Sequence, residues 1–359
     1  MRVLLIDEFS RIGGGQILTK LLLDYFNKIG DETWVEVDVG HQYIDYKNII
    51  ITPYAYRENM FMPVLYYYVI KTKKFLNEYN NKNKFNLTIN NHPNMFIYKA
   101  DVNVLHGFSF LDSIIDEYGE IKNKIIFEFI KKTGIYNIYN NANFLVNSKY
   151  TLELSKKLFP KLGIKPAIEQ LIYIPVRSDI HVDVSSKDKK LVLSIGRIDV
   201  RKNYTQLLEI AKRLKDYKFI IAGALNNGDE DYYETIVRNK SSNVEILINI
   251  NEDKKIELLK KASIYLHLNR REHYGLSVLE AMSYGLIPVV PRSGGPWVDI
   301  VSGGEYGYGF DSVDEAVENI TNIDYNMVQR IIHSMERFSY SNFYENIRDV
   351  ISKTDNSQI

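Results

Sequence analysis

Short apolar runs alternate along this chain with longer stretches in which apolar residues recur every three or four positions, a pattern that predicts strands and helices in turn. The apolar run at residues 2–7 reads as a first strand, followed by the loop Gly13-Gly14-Gly15 and a helix over 16–29. In that helix Ile17, Leu18, Leu21, Leu22, Tyr25 and Phe26 fall on one face, and Gly30 supplies a terminator. Further strands are expected at 34–39, 86–90, 102–106 and 144–147. After the segment 172–176 and the polar stretch 183–190, a second series of strands follows at 191–195, 219–222, 244–248, 264–268 and 287–290. Strands separated by helical sequence belong to parallel α/β sheets, and a chain of this length exceeds one core. The expectation is α/β, with two Rossmann-like domains at 1–173 and 174–337 and an amphipathic helical segment at 338–359 that can cross back onto the first domain.

Composition narrows the function classes. Lys+Arg and Asp+Glu number 45 each, which removes any global charge argument for nucleic acid. Cysteine is absent, excluding disulfides, thiolate nucleophiles and Cys-ligated metals. The seven histidines show no His-x3-His or similar ligand pair, so no metal site is expected. Residues 2–7 are too few for a signal peptide's apolar core, and no segment approaches the roughly 20 apolar residues of a spanning helix. These features lead to the expectation of a soluble, cytoplasmic protein.

The stretch 271–295 carries most of the chemistry. Glu272 and Glu280 flank a turn that opens a short helix, and the amides of Gly275 and Leu276 lie at that helix start. Such amides form an anion site, and two carboxylates beside it accept hydrogen bonds from sugar hydroxyls. A bland alternative fits the same spacing: Ser277 and Glu280 match a capping box, in which Glu280 would only satisfy its own helix. Glu272 follows an apolar run read as a strand, and open parallel sheets bind ligands beyond the carboxyl ends of their strands.

Upstream, Gly196-Arg197 closes a strand and Lys202-Asn203 opens a helix, a placement in which two cations and helix amides clamp a diphosphate. The alternative is a capping pair of Asn203 and Gln206 with solvated cations. The loop at Gly14 and Gly15 is neither a dinucleotide fingerprint nor a P-loop, but it places backbone at a sheet edge. His106 and His92 both follow strand-like runs and compete for one role; a lone histidine is more often structural. At 62–84, Leu65, Tyr66, Tyr67, Tyr68, Val69, Ile70 and Phe75 are interleaved with Lys71, Lys73, Lys74, Lys82 and Lys84. An anionic membrane surface and an ordinary packed helix with a basic face both account for that mixture.

Taken in order, Gly-Arg-Ile-Asp-Val-Arg-Lys-Asn at 196–203, Ala222-Gly223, the Glu-x7-Glu segment and Ser-Gly-Gly-Pro at 293–296 resemble the retaining glycosyltransferases of family 4. The segments at 147–151 and 172–176 resemble family segments as well, and Glu-His-Tyr-Gly-Leu at 272–276 is similar to the dolichol-pathway α-1,2-mannosyltransferases. The resemblance implies a GT-B fold, two Rossmann-like domains facing each other across a cleft. It implies that Arg197 and Lys202 hold the donor diphosphate, Glu280 the ribose and Glu272 the transferred hexose. His106 would approach that hexose, and Gly14 and Gly15 would border acceptor and diphosphate. The chain departs from the family at Gln16, where many relatives have Glu, and at Arg270-Arg271, where relatives are often less basic. That arginine pair reads either as a contact for an anionic acceptor or as a surface turn.

The resulting expectation is a hexosyltransferase that moves a hexose, with retention, from a nucleoside diphosphate sugar to a hydroxyl of a glycan or polyprenyl-linked acceptor. It needs no metal and no cofactor beyond the donor; its other expected contact is peripheral, with the cytoplasmic membrane face, and nucleic acid is not among its partners. The competing readings are a GT-B epimerase, a glycan phosphorylase and a non-catalytic nucleotide-sugar-binding protein. Both glutamates and both cations together favour activity.

Overall fold

A computed structural model describes residues 1–7, 9, 14–38, 44–52, 62–93, 98–107, 128, 131–178 and 180–356. The chain forms two compact units, Met1–Tyr173 together with Tyr344–Ile359, and Ile174–Phe343. Gly13 lies outside the described residues, as do the side chains of Leu65, Tyr66 and Val69.

In the first unit the strands are β1 (Arg2–Ile6), β2 (Glu32–Asp38), β3 (Ile49–Thr52), β4 (Leu87–Asn90), β5 (Val102–Leu105), β6 (Asn143–Val146) and β7 (Ile168–Leu171). They form a parallel sheet in the order β3-β2-β1-β4-β5-β6-β7. Helices α1 (Gly14–Lys28), α2 (Met62–Asn83) and α3 (Lys149–Leu162) connect successive strands. α1 buries Leu18, Leu21, Leu22, Tyr25 and Phe26, whereas Ile17 is exposed. α3 starts at Ser148, whose side chain accepts from the Thr151 amide, and stops at Gly163 with a left-handed φ of 73°.

The second unit repeats the plan. Strands β8 (Asp188–Ile195), β9 (Lys218–Gly223), β10 (Val244–Ile248), β11 (Ala262–Leu266), β12 (Ile287–Pro291) and β13 (Tyr308–Phe310) run parallel in the order β10-β9-β8-β11-β12-β13. The helices are α4 (Tyr204–Arg213), α5 (Glu230–Asn239), α6 (Glu252–Lys261), α7 (Leu276–Ser283), α8 (Val313–Thr321) and α9 (Val328–Ser334). Every residue of β11 and β12 is buried, because a parallel sheet is covered on both faces. Phe219, Ile221, Ile264 and Val289 pack there with Leu207, Leu208 and Ile210 of α4. A last helix, α10 (Tyr340–Asn356), contributes its residues from Tyr344 onward to the first unit, where Tyr344 stacks on Tyr25 at 5.4 Å.

In both sheets the chain direction across the sheet reverses beside the first strand of the unit, between β1 and β4 and between β8 and β11. The sequence pattern located the inner strands to within a few residues and missed β3, β7 and β13. All three are edge strands. With one neighbour each they are short and partly buried; β7 and β13 lack the continuous apolar run of a central strand, whereas β3 is apolar at 49–51.

One buried cation ties the entry of β8 to its neighbours. Lys187 donates from Nζ to the carbonyl oxygens of Leu259 at 2.8 Å, Lys260 at 3.1 Å and Ala262 at 2.7 Å. Lys187→Met keeps the stem and strips three acceptors of their donor. It should destabilise the second unit by about 2–3 kcal/mol, read as a lower urea midpoint at unchanged slope; an unchanged midpoint would mean that water serves those carbonyls equally well.

Candidate functional site

The carboxyl ends of β8 and β11 flank the topological switch point of the second sheet, the place where open α/β sheets bind ligands. Tyr265 fixes those ends relative to each other: its hydroxyl donates to the Ile195 carbonyl at 2.9 Å and accepts from the Ile195 amide at 3.3 Å. Beyond β8, Asp199 caps the turn Val200–Lys202, accepting from the Lys202 amide at 3.2 Å. The same carboxylate accepts from Arg201 Nη2 at 2.9 Å and lies 3.7 Å from Arg197 Nε. Asp199 thus aims the turn and gathers its cations. A methyl group on Gly196 would stand 3.1 Å from Lys202 Cε, so the missing side chain leaves room for the Lys202 stem.

Lys202 crosses to the loop after β11. Its Nζ donates to Glu272 Oε2 at 2.6 Å, and Asn269 Nδ2 donates to the same oxygen at 3.2 Å. His267, at the end of β11, is buried, and its Nε2 lies 3.8 Å from that oxygen. Burial of the Glu272 carboxyl raises its pKa, but the Lys202 charge, His267 and the hydrogen bonds from Lys202 and Asn269 outweigh burial and hold it down at about 2. Burial pulls His267 down to about 4, with the Lys202 charge acting in the same direction. At neutral pH the site therefore holds an ionised Glu272, and the imidazole beside it is neutral.

The loop that carries Glu272 is held from behind by backbone. Gly295 donates its amide to the Glu272 carbonyl at 2.8 Å, and Ser293 Oγ donates to the Arg270 carbonyl at 2.8 Å. A Cβ on Gly294 would sit 2.6 Å from the Glu272 carbonyl oxygen, and one on Gly295 would sit 2.2 Å from that of His273. The loop is also pinned by the Tyr274 hydroxyl, which donates to the Ile174 carbonyl at 2.8 Å. Arg270 is braced against Asp311, with Nη1 3.4 Å from its carboxylate, which corresponds to the surface-turn reading for that residue.

Gly275 is the N-cap of α7, with φ of 106° and no side-chain cap. The amides of Leu276 and Ser277 consequently begin the helix without an intrahelical acceptor. The capping-box alternative for Glu280 does not hold, because the cap is Gly275 and not Ser277. Glu280 instead accepts from Lys255 Nζ of α6 at 2.6 Å, and Lys255 also pairs with Glu252 at 2.9 Å. The corresponding alternative at Asn203 fails for a different reason: Asn203 is the N-cap of α4, but it is left-handed at φ 52°, makes no side-chain cap, and donates to Gln206 Oε1 at 3.1 Å.

In the first unit the switch point lies between β1 and β4, and it too is polar. Asp7 follows β1 and is fully buried. Its carboxylate is 2.9 Å from His92 Nε2 and accepts from Asn91 Nδ2 at 3.1 Å; Gln16 Nε2 is 3.4 Å away. Burial pushes the Asp7 carboxyl up, but His92, Thr19 and Asn91 together outweigh it and hold the group below the ordinary carboxylate range. Asn91 Nδ2 also reaches the Gly15 carbonyl and Thr19 Oγ1, both at 2.8 Å, which leaves its Oδ1 to accept from His106 Nε2 at 2.7 Å. The two imidazoles are 5.5 Å apart. Gly14 and Gly15 open α1, and a Cβ on Gly15 would stand 2.7 Å from His92 Nε2. The two histidines that competed for one role in the sequence thus share one network. Gln16 sits next to a carboxylate that a second negative charge in its place would repel.

Of the residues singled out from sequence, the structure joins Lys202 to Glu272 directly, links Arg197 to the same turn through Asp199, and places Gly275 and Leu276 at the start of α7 with Glu280 one turn further on. His106, Gly14 and Gly15 belong to the first unit. Sequence reasoning missed Asp199, Lys255, Asn269, His267 and Asp7. His267 left a trace as a polar position inside an otherwise apolar run at 264–268, and Asp199 and Asp7 lay within the segments 196–203 and 2–7 without an assigned role. Among the described residues, no group of three or more His, Cys, Asp or Glu is arranged to hold a metal ion.

Similarity to known proteins is found at the level of sequence and of fold. Residues 176–326 match the family model described as "Glycosyl transferases group 1". The GDP-Man:Man(3)GlcNAc(2)-PP-Dol alpha-1,2-mannosyltransferase of Dictyostelium discoideum is 28% identical over 253 residues, 60% of this chain and 50% of that protein. The chain spans about half the length of the curated relatives it matches first. Among solved structures, Anabaena HepE in complex with UDP and glucose superposes with a TM-score of 0.69 at 16% identity, covering 98% of this chain and 100% of that one. Sucrose-phosphate synthase from Thermosynechococcus elongatus gives a TM-score of 0.76 at 13% identity, covering 99% of each chain. These likenesses show the fold, a GT-B-like pair of Rossmann-like domains.

Two outcomes test the architecture of the site. Gly294→Ala should lower the melting temperature of the second unit, by strain of about 1–3 kcal/mol, and more than Gly303→Ala does. Gly303 shares a left-handed φ, but a Cβ there meets nothing within 4 Å; equal losses would show that only φ matters. For Asp7, the folded pKa lies below the unfolded one, so its contribution is complete above the ordinary carboxylate range and is lost as pH falls through the folded value. Asp7→Asn should therefore melt lower than wild type at pH 7, and the gap should close toward pH 3.

Proposed function

We propose that the chain is a glycosyltransferase that moves a hexose from a nucleoside diphosphate sugar to a hydroxyl acceptor, with retention at the anomeric carbon. The observation that carries this reading is the Lys202–Glu272 pair, set at the switch point of the second sheet beside the side-chain-free start of α7. As the anomeric C–O bond breaks, negative charge grows on the leaving diphosphate. Arg197, Lys202 and the amides of Leu276 and Ser277 are the donors available to it. With that charge met by protein groups, the reaction is proposed to be metal-independent.

Glu272 is the proposed acceptor of hydrogen bonds from the transferred hexose, and Glu280 that of the ribose hydroxyls. His106 is proposed to approach the hexose, with Gly14 and Gly15 lining the acceptor and diphosphate side. The leaving phosphate helps remove the acceptor proton, so no protein nucleophile is assigned. The likeness to dolichol-linked mannosyltransferases supports a glycan or polyprenyl-linked acceptor, and hence a site of action at the cytoplasmic membrane face. Support for that contact comes from α2: Tyr67 is 55% and Ile70 48% exposed, beside Lys71, Lys73 and Lys74. The proposed contact is peripheral; among the described residues no helix is long and apolar enough to cross a membrane.

The test is release of nucleoside diphosphate from UDP-glucose, UDP-N-acetylglucosamine and GDP-mannose, with and without soluble or polyprenyl-linked glycan acceptors. Arg197→Ala and Lys202→Ala should each weaken nucleoside diphosphate binding about tenfold or more, from charged hydrogen bonds of about 1.5–3 kcal/mol; unchanged calorimetric affinity in both would sink the clamp. Glu280→Gln should lower donor affinity, and intact affinity with a reduced melting temperature would make the Lys255 pair purely structural. Full activity in EDTA is expected, and loss restored by manganese would contradict the mechanism. Lysines near an anionic surface contribute about 1 kcal/mol each, so the Lys71, Lys73 and Lys74 triple substitution should abolish co-sedimentation with anionic vesicles.

A further inference from the structure

The pair at the heart of the site poses a problem of its own. Lys202 is the proposed partner of a diphosphate, yet in the structure it is spent on Glu272 at 2.6 Å. An anion that draws the ammonium away leaves behind a partly buried carboxylate, whose side chain is 24% exposed and whose other donor to the same oxygen is the neutral amide of Asn269. Stranding a charge in that way is costly.

His267 stands where the replacement would have to come from. Its imidazole is buried, its Nε2 has no hydrogen-bond partner, and that nitrogen lies 3.8 Å from Glu272 Oε2. The ring is also hydrogen-bonded to the backbone of Asn269, an interaction that favours its charged form. The bonded nitrogen is then the N–H in the neutral ring, and the Nε2 lone pair faces the carboxylate with no proton between them. Buried polar atoms are rarely left without a partner. The charged groups acting on the ring are Glu272, from the loop after β11, and Lys202, from the turn after β8.

We propose that His267 is the positioning residue that takes over Glu272 when a bound anion draws Lys202 away, by taking up one proton at Nε2 and closing the 3.8 Å gap into a charge-paired hydrogen bond. The proton comes from solvent and stays on the ring; no other bond forms or breaks. Glu272 then keeps its charge and place for the sugar hydroxyls while Lys202 serves the diphosphate. Binding of a nucleoside diphosphate is thereby coupled to proton uptake and tightens as pH falls from neutrality, by up to about tenfold per pH unit.

This inference rests on the proposed function only for the identity of the anion, so its test has one arm without ligand. In Lys202→Met the competing charge is gone permanently. NMR titration of histidine-labelled full-length protein, with His267 assigned by comparison with His267→Gln, should show its pKa raised by about two units or more over wild type. A value unchanged by Lys202→Met overturns the proposal, and Lys202→Gln serves as a second variant if the first fails to fold. In the ligand arm, calorimetry with UDP and with GDP in buffers of different ionisation heat should show proton uptake in wild type that His267→Gln lacks. The nucleotide's own titration is common to both proteins, so equal uptake overturns the proposal. Failure of wild type to bind either nucleotide would count against the proposed function, and the ligand-free titration would still decide the role of His267.

Discussion

An ammonium and a carboxylate 2.6 Å apart, at the carboxyl ends of β8 and β11, set the requirements that the surrounding chain meets. Lys202 reaches Glu272 because Asp199 caps the turn that carries it and because Gly196 leaves space for its stem. Glu272 stays in place because the backbone of Gly294 and Gly295 lies against its loop at a distance that no side chain permits. Each of these features alone is an ordinary turn or close contact. Together they hold two opposite charges at the point where the sheet leaves its strand ends uncovered.

Such a pair is held in tension. Burial disfavours the carboxylate's charge, and the attraction of Lys202 and His267 with the Lys202 and Asn269 hydrogen bonds is what keeps Glu272 ionised. That makes the pair responsive: any ligand that competes for one partner changes the environment of the other. The neutral His267 behind it belongs to the same balance, since its pKa is lowered by burial and by the nearby ammonium.

The first unit solves a related problem at its own switch point with different residues. Asp7 is fully buried and ionised, and its compensation comes from His92 and from the amide of Asn91, whose carbonyl in turn fixes His106. A network of this kind specifies ring orientations, because moving either histidine takes a partner away from a buried group. Gly15 is part of the same arrangement, since a methyl group there would displace the His92 ring.

Much of the fold was legible in the order of residues. Strands buried on both faces must be apolar throughout, so β1, β8, β11 and β12 stood out, and helices packed on one face showed their period. The edge strands β7 and β13 did not, because one neighbour and partial burial impose no such composition, and β3 was missed although 49–51 is apolar. For the site, sequence determined that Arg197, Lys202 and Glu272 fall in the turns after strands and that Glu280 lies on the helix that follows, because local spacing fixes which part of an element a residue occupies. It did not determine who pairs with whom. Glu280 and Lys255 are 2.6 Å apart although 25 positions separate them in the chain, and Ser277, the partner that spacing suggested, is not the cap. Asp7, His92 and His106 likewise meet only because the sheet order sets β1 beside β4 and β4 beside β5. Element identity is a local property of hydrophobic period and capping chemistry, whereas charge pairing and burial depend on strand order, which the tertiary structure alone decided.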